Sequence, residues 1–136
     1  MYKGIIITHG TMASCLVRTL KKISGIKTPI EAVSNEGKTA DQIVDDLLIR
    51  YPVGEDTPLF VFSEFKGGST WFAANKFANL RKNVFVFTGV NLPMLISFET
   101  KQDELDAEQL AEAVFQDGNR GITRQFYGEQ AGKTKI

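Results

Sequence analysis

Four short apolar runs, each followed by a segment with helical spacing, constrain this chain more than any other feature. The runs are Lys3–Thr8, Pro29–Ser34, Leu59–Ser63 and Asn83–Thr88. Short runs rich in β-branched and aromatic residues, bounded by turn residues, suit buried strands and are too brief for buried helices. Between them lie helical patterns. Met12–Ser24 carries Leu16, Leu20 and Ile23 on one face and stops at Gly25. Ala40–Tyr51 carries Ile43, Leu47 and Leu48 inward, with Thr39 as its cap and Pro52 as its stop. Gly67-Gly68-Ser69 opens a helix through Trp71–Leu80, and Pro93–Thr100 and Asp106–Asp117 follow the fourth run. Strands alternating with helices predict an α/β fold, a doubly wound and mostly parallel sheet with right-handed crossovers and helices on both faces. Gly121–Tyr127 reads as a final strand, and residues 128–136 as a polar, frayed tail after a single domain over residues 1–127.

The charge balance narrows the partners. Sixteen basic and sixteen acidic residues cancel, which points away from nucleic acid and anionic membranes. No apolar stretch approaches a membrane span, and the first residues do not follow a signal-peptide pattern. The one cysteine, Cys15, permits no internal disulfide and suits a reducing cytoplasm. It falls in the first helical pattern, where a small core residue is expected. It also leaves the single histidine without a second soft ligand, so no metal site is expected.

That histidine, His9, follows the first strand directly. In open α/β sheets, ligands and chemistry gather at the carboxyl edge of the strands. Imidazole can be neutral, nucleophilic and proton-labile near pH 7. The loops after strands one, three and four share this edge. They carry Thr8-His9-Gly10, Ser63-Glu64-Phe65-Lys66-Gly67-Gly68-Ser69 and Thr88-Gly89-Val90-Asn91-Leu92-Pro93. A lone histidine is also a common surface or capping residue, so the convergence of three loops is what marks His9.

Each neighbour has two readings. Gly67 and Gly68 before a helix let backbone N–H groups approach an anion, with Ser69 beside them, and the helix N-terminus adds partial positive charge. The same residues serve as a plain tight turn. Neither a nucleoside-triphosphate loop nor a strand-linked dinucleotide motif is present, so no nucleotide cofactor is expected. Glu64 ends the third strand, where its carboxylate can fix one tautomer of His9 and leave the other nitrogen free to attack. Equally, it can be a surface glutamate paired with Lys66. Thr8 and Asn91 stand nearby, as phosphate ligands or as residues satisfying loop backbone. Histidine, carboxylate and phosphate seat together suggest a phosphohistidine carrier needing neither metal nor cofactor.

Three motifs in register carry a resemblance. Gly4-Ile5-Ile6-Ile7-Thr8-His9-Gly10, Gly67-Gly68-Ser69 and Thr88-Gly89-Val90-Asn91-Leu92-Pro93-Met94-Leu95 resemble the enzyme IIA components of the mannose-type sugar phosphotransferase system, over residues 2–126. The resemblance implies strand order 2-1-3-4 plus a C-terminal antiparallel strand exchanged within a homodimer. It implies that His9 takes a phosphoryl group from the phosphocarrier HPr and passes it to a IIB component serving a membrane permease. The usual family segment after strand three reads Asp-Leu-Phe-Gly-Gly-Ser-Pro; here it is Glu64-Phe65-Lys66-Gly67-Gly68-Ser69-Thr70, and Phe72 replaces an Asn. Glu64 thus stands for the orienting Asp with one more methylene, and Lys66 brings a cation that either holds phosphate or neutralises Glu64. A regulatory module of the same fold, or a phosphotransfer subunit linked to a dihydroxyacetone kinase, is the alternative that these departures leave open.

Overall fold

Which helix covers which face follows from the alternation of side chains along the strands. In the computed structural model, which describes residues 1–25 and 28–129, the elements run β1 (Lys3–Thr8), α1 (Met12–Ser24), β2 (Ile30–Ser34), α2 (Ala40–Arg50), β3 (Leu59–Ser63), α3 (Ser69–Leu80), β4 (Val84–Thr88), α4 (Leu92–Lys101) and α5 (Ala107–Arg120), with a short 3₁₀ turn over Gln102–Glu104. Ile5 and Ile7 point to the face covered by α2 and α3, packing with Ile43, Leu47, Ala73 and Phe77. Ile6, Phe60 and Phe62 point to the opposite face, under Ala13 and Leu20 of α1, Phe98 of α4 and Val114 of α5. Because both faces are covered, Ile5, Ile6 and Ile7 are all fully buried, which is why β1 reads as a continuous apolar run.

The strands lie in the order β2-β1-β3-β4, and every neighbouring pair is parallel. The chain winds outward from β1 to β2, then returns to β3 and winds the other way to β4. The reversal falls between β1 and β3, which makes the carboxyl ends of these two strands the switch point where doubly wound sheets bind ligands. Register completes the placement. Ile7 lies opposite Ser63, so the chain leaves β1 towards His9 beside the residue that leaves β3, Glu64.

Local chemistry sets the helix starts. Thr39 with Gln42 opens α2, and Asp106 with Gln109 opens α5, each as a reciprocal capping box. Asn91 accepts the Met94 N–H to cap α4. Three sequence expectations need correction. Cys15 is exposed, not part of the core, because the buried stripe of α1 runs through Ala13 and Leu20 with Leu16 and Val17 beside it. Ile23 extends that stripe on paper but lies in the last turn, 56% exposed and outside both core clusters. Gly121–Tyr127 forms no strand: the segment leaves α5 exposed, with no ladder partner among the described residues. Of the tail, residues 130–136 lie outside the described residues. No described helix is long and apolar enough to cross a membrane.

Candidate active site

The carboxylate of Glu64 organises the switch point. Oε1 accepts from Nδ1 of His9 at 2.8 Å and from the Thr70 hydroxyl at 2.7 Å. Oε2 accepts the backbone N–H of His9 at 2.9 Å. Glu64 thus grips both the ring and the main chain of His9, and its own side chain is only 10% exposed. An ionised carboxylate can only accept, so the Nδ1 atom carries the proton and the lone pair resides on Nε2. Burial opposes ionisation of Glu64, but hydrogen bonds from the His9 N–H, the Thr70 hydroxyl and the His9 ring outweigh it and hold the carboxyl below its ordinary pKa.

The His9 side chain remains 45% exposed. Among the described residues Nε2 has no hydrogen-bond partner. One face of the imidazole stacks on Phe65, with centroids 5.6 Å apart and planes 16° from parallel. Gly68 lies close beside the edges of both rings. A Cβ there would stand 3.0 Å from Cζ of Phe65 and 3.3 Å from Cε1 of His9, so the absence of a side chain lets the α3 N-terminus approach the imidazole. The preceding Gly67 turns through φ +97°, a left-handed conformation that favours glycine. No side chain caps α3. Its first N–H groups therefore have no acceptor in the helix, and they carry the positive end of its dipole.

Other expected site residues fall in different places. Thr8 is fully buried and its hydroxyl accepts the Ala13 N–H at 2.7 Å, capping α1. Asn91 caps α4 and donates to the Gly118 carbonyl at 3.2 Å, with no bond to His9. Both perform the backbone duty that their residue types also predicted. Lys66 is exposed and makes no ion pair among the described residues, so Glu64 is the partner of His9 and not of Lys66. The structure adds three contributors that the motifs did not single out for the site. Phe65 stacks on the ring, Thr70 holds the carboxylate, and the Asn35 side chain accepts the Gly10 N–H at 3.2 Å, tying the His9 loop to the turn after β2. Of these, only the Asn35-Glu36-Gly37 turn carries a local sequence signal.

Among the solved structures that share the fold are two phosphotransferase-system proteins. The phosphotransferase system component EIIA from Streptococcus agalactiae matches with a TM-score of 0.82 at 20% identity, over 91% of this chain and 97% of that one. The mannose/sorbose specific IIA subunit from Enterococcus faecalis matches with a TM-score of 0.76 at 24% identity, over 94% and 97%. No curated protein sequence matches the chain. The family model for the fructose IIA component of the phosphotransferase system matches residues 3–115, from the start of β1 into α5. With the His9 loop, the Glu64 loop and all four strands inside that match, the chain belongs to the fructose- and mannose-type IIA family of the sugar phosphotransferase system.

Proposed function

We propose that this protein is a phosphohistidine carrier in which Nε2 of His9 accepts a phosphoryl group from HPr and passes it to a IIB component. The observation that carries this reading is the division of labour on one ring: Nδ1 is tied to Glu64 at 2.8 Å while Nε2 is open beside an uncapped helix N-terminus. In the first transfer the Nε2 lone pair forms a bond to phosphorus. The P–N bond of the donor breaks, and its electron pair returns to the donor nitrogen. No proton moves on His9. The ring gains positive charge, which the Glu64 carboxylate balances. The transferred oxygens rest on N–H groups of Gly68 and Ser69, assisted by the Ser69 hydroxyl, with Gly67 shaping the turn and Lys66 adding charge at the rim. Reversal of the step hands the group on to the acceptor.

The partner face is the same carboxyl edge, and a permease complex would be reached only through the IIB component. The molecule is proposed to work as a homodimer through its C-terminal segment. The test uses enzyme I, HPr and phosphoenolpyruvate. The protein should gain one acid-labile phosphate per chain, and His9→Ala should gain none while keeping its circular dichroism spectrum. Undiminished labelling of His9→Ala would end the proposal.

A further inference from the structure

We propose that Thr70 is a positioning residue for phosphoryl transfer at His9, acting through Glu64. The proposal rests on the carrier reading above and extends it to a residue that touches neither phosphate nor partner.

The argument starts from side-chain length. Glu64 has one more torsion than the aspartate that the family pattern carries at this place. An extra torsion lets the carboxylate swing away from the ring, and fixing it costs entropy. Three donors remove that freedom: Nδ1 of His9, the His9 N–H and the Thr70 hydroxyl. The first two belong to the residue being oriented. Among the described residues, only Thr70 holds Glu64 from outside His9. It is fully buried, so water does not reach its hydroxyl without an opening of the structure. It is the second residue of α3, the helix whose N-terminus lies against His9. The bond of 2.7 Å therefore links the carboxylate to the same rigid element that supplies the proposed phosphate seat. Where the family pattern has a longer-range simplicity, Asp with Pro, this chain has Glu with Thr. The hydroxyl that Pro lacks is the one that compensates the added methylene.

The alternative role for Thr70 is packing alone, since it sits at the buried start of α3. Two substitutions separate the roles. Thr70→Val preserves shape and removes the hydroxyl, whereas Thr70→Ser preserves the hydroxyl and removes a methyl. Transfer from phosphorylated HPr should slow about tenfold in Thr70→Val, the low end of the loss seen when the hydrogen-bond partner of a metal-binding imidazole is removed, since Thr70 stands one step further back, behind Glu64. Thr70→Ser should recover most of that rate. In a Glu64→Ala background, Thr70→Val should cause little further loss, because the side chain it positions is gone. Nitrogen-15 spectra of unphosphorylated protein should show the Nδ1-protonated tautomer of His9 depleted in Thr70→Val and restored in Thr70→Ser.

A Thr70→Val variant with wild-type rate and tautomer would overturn the proposal. So would a Thr70→Ser variant as slow as Thr70→Val, or an undiminished Thr70→Val effect in the Glu64→Ala background. If wild-type protein accepts no acid-labile phosphate, the carrier reading has failed instead. The tautomer spectra then decide on Thr70 alone, an unchanged tautomer overturning its role and a depleted one supporting it.

Discussion

At the scale of single residues, one carboxylate serves three donors, and this has a consequence for acid stability. Glu64 has a folded pKa below its ordinary value, since hydrogen bonds to the ionised form outweigh the cost of burial. A group depressed in the folded state contributes stability above its unfolded pKa, about 4.3 for glutamate. That contribution is lost as pH falls through the lower folded value. Stability measured by urea unfolding should therefore fall as the pH drops below the ordinary glutamate range and through the lower folded value. Glu64→Gln should flatten this fall, because the amide does not titrate. Part of the fall should remain. Asp117 is also held below its ordinary value, by hydrogen bonds from Lys101 and Ser97, so its contribution too is lost in acid. Equal slopes for wild type and Glu64→Gln would mean that Glu64 is not held ionised by the fold. The stacked Phe65 belongs to the same scale: it shields one face of the imidazole and leaves the edge bearing Nε2 open.

At the scale of elements, the seam between α4 and α5 shows how close approach is arranged. Asn91 caps α4 and donates to the carbonyl of Gly118 on α5. Asp117 accepts from Ser97 and from Lys101, each at 2.6 Å, across the same seam. Gly118 is buried because Met94 lies against it. A Cβ at Gly118 would stand 2.4 Å from Cγ of Met94, an atom near the root of that side chain, so the helix pair must separate to admit it. Two effects then oppose each other in Gly118→Ala. Alanine in place of a helical glycine gains roughly 0.5–1 kcal/mol. Overpacking a filled seam costs about 1–3 kcal/mol. The clash is the larger effect, and the variant should be destabilised by about 1 kcal/mol in denaturant unfolding, within a net range of roughly 0–2.5 kcal/mol. A stabilised Gly118→Ala would show that Met94 repacks freely.

At the scale of the whole molecule, the β4 edge of the sheet and the segment after α5 both lack ladder partners among the described residues. Beside β4 lies an open groove of about 580 Å³, lined by Phe85 and Phe87 of β4, Met94 of α4, and Ala111 and Phe115 of α5. The segment after α5 exposes Ile122 by 75% and Phe126 by 83%. Apolar side chains held in water and an unpaired strand edge are two forms of the same deficit. The proposed homodimer satisfies both if each C-terminal segment lies along the partner's β4. Exchange of a terminal element is a recognised route to closed two-fold dimers. Light scattering at micromolar concentration should then give the mass of a dimer. Truncation after Gly118 should give a monomer or an aggregating species. A full-length monomer under these conditions would remove the basis for exchange.

Much of this was legible before any tertiary contact was known. The apolar runs fixed four strands to within a residue or so, and their alternation with helical patterns determined a parallel, doubly wound sheet. Covering both faces demands apolar residues along the central strands, as in residues 5–7 of β1 and 59–62 of β3, and that demand is written locally. The same local record put His9 and Glu64 at strand ends. It could not show that β1 and β3 are neighbours in a register with Ile7 opposite Ser63, because strand pairing joins residues more than fifty positions apart. Only that register lets one carboxylate reach the ring and the amide of His9 together. The choice between Glu64 as orienting group and Glu64 as partner of Lys66 was likewise a tertiary matter, as was the capping duty of Thr8 and Asn91. Cys15 faced outward because the buried stripe of α1 is narrower than its apolar composition suggests. Thr70 carried no pattern at all: a buried hydroxyl gains its meaning from the acceptor that folding brings to it.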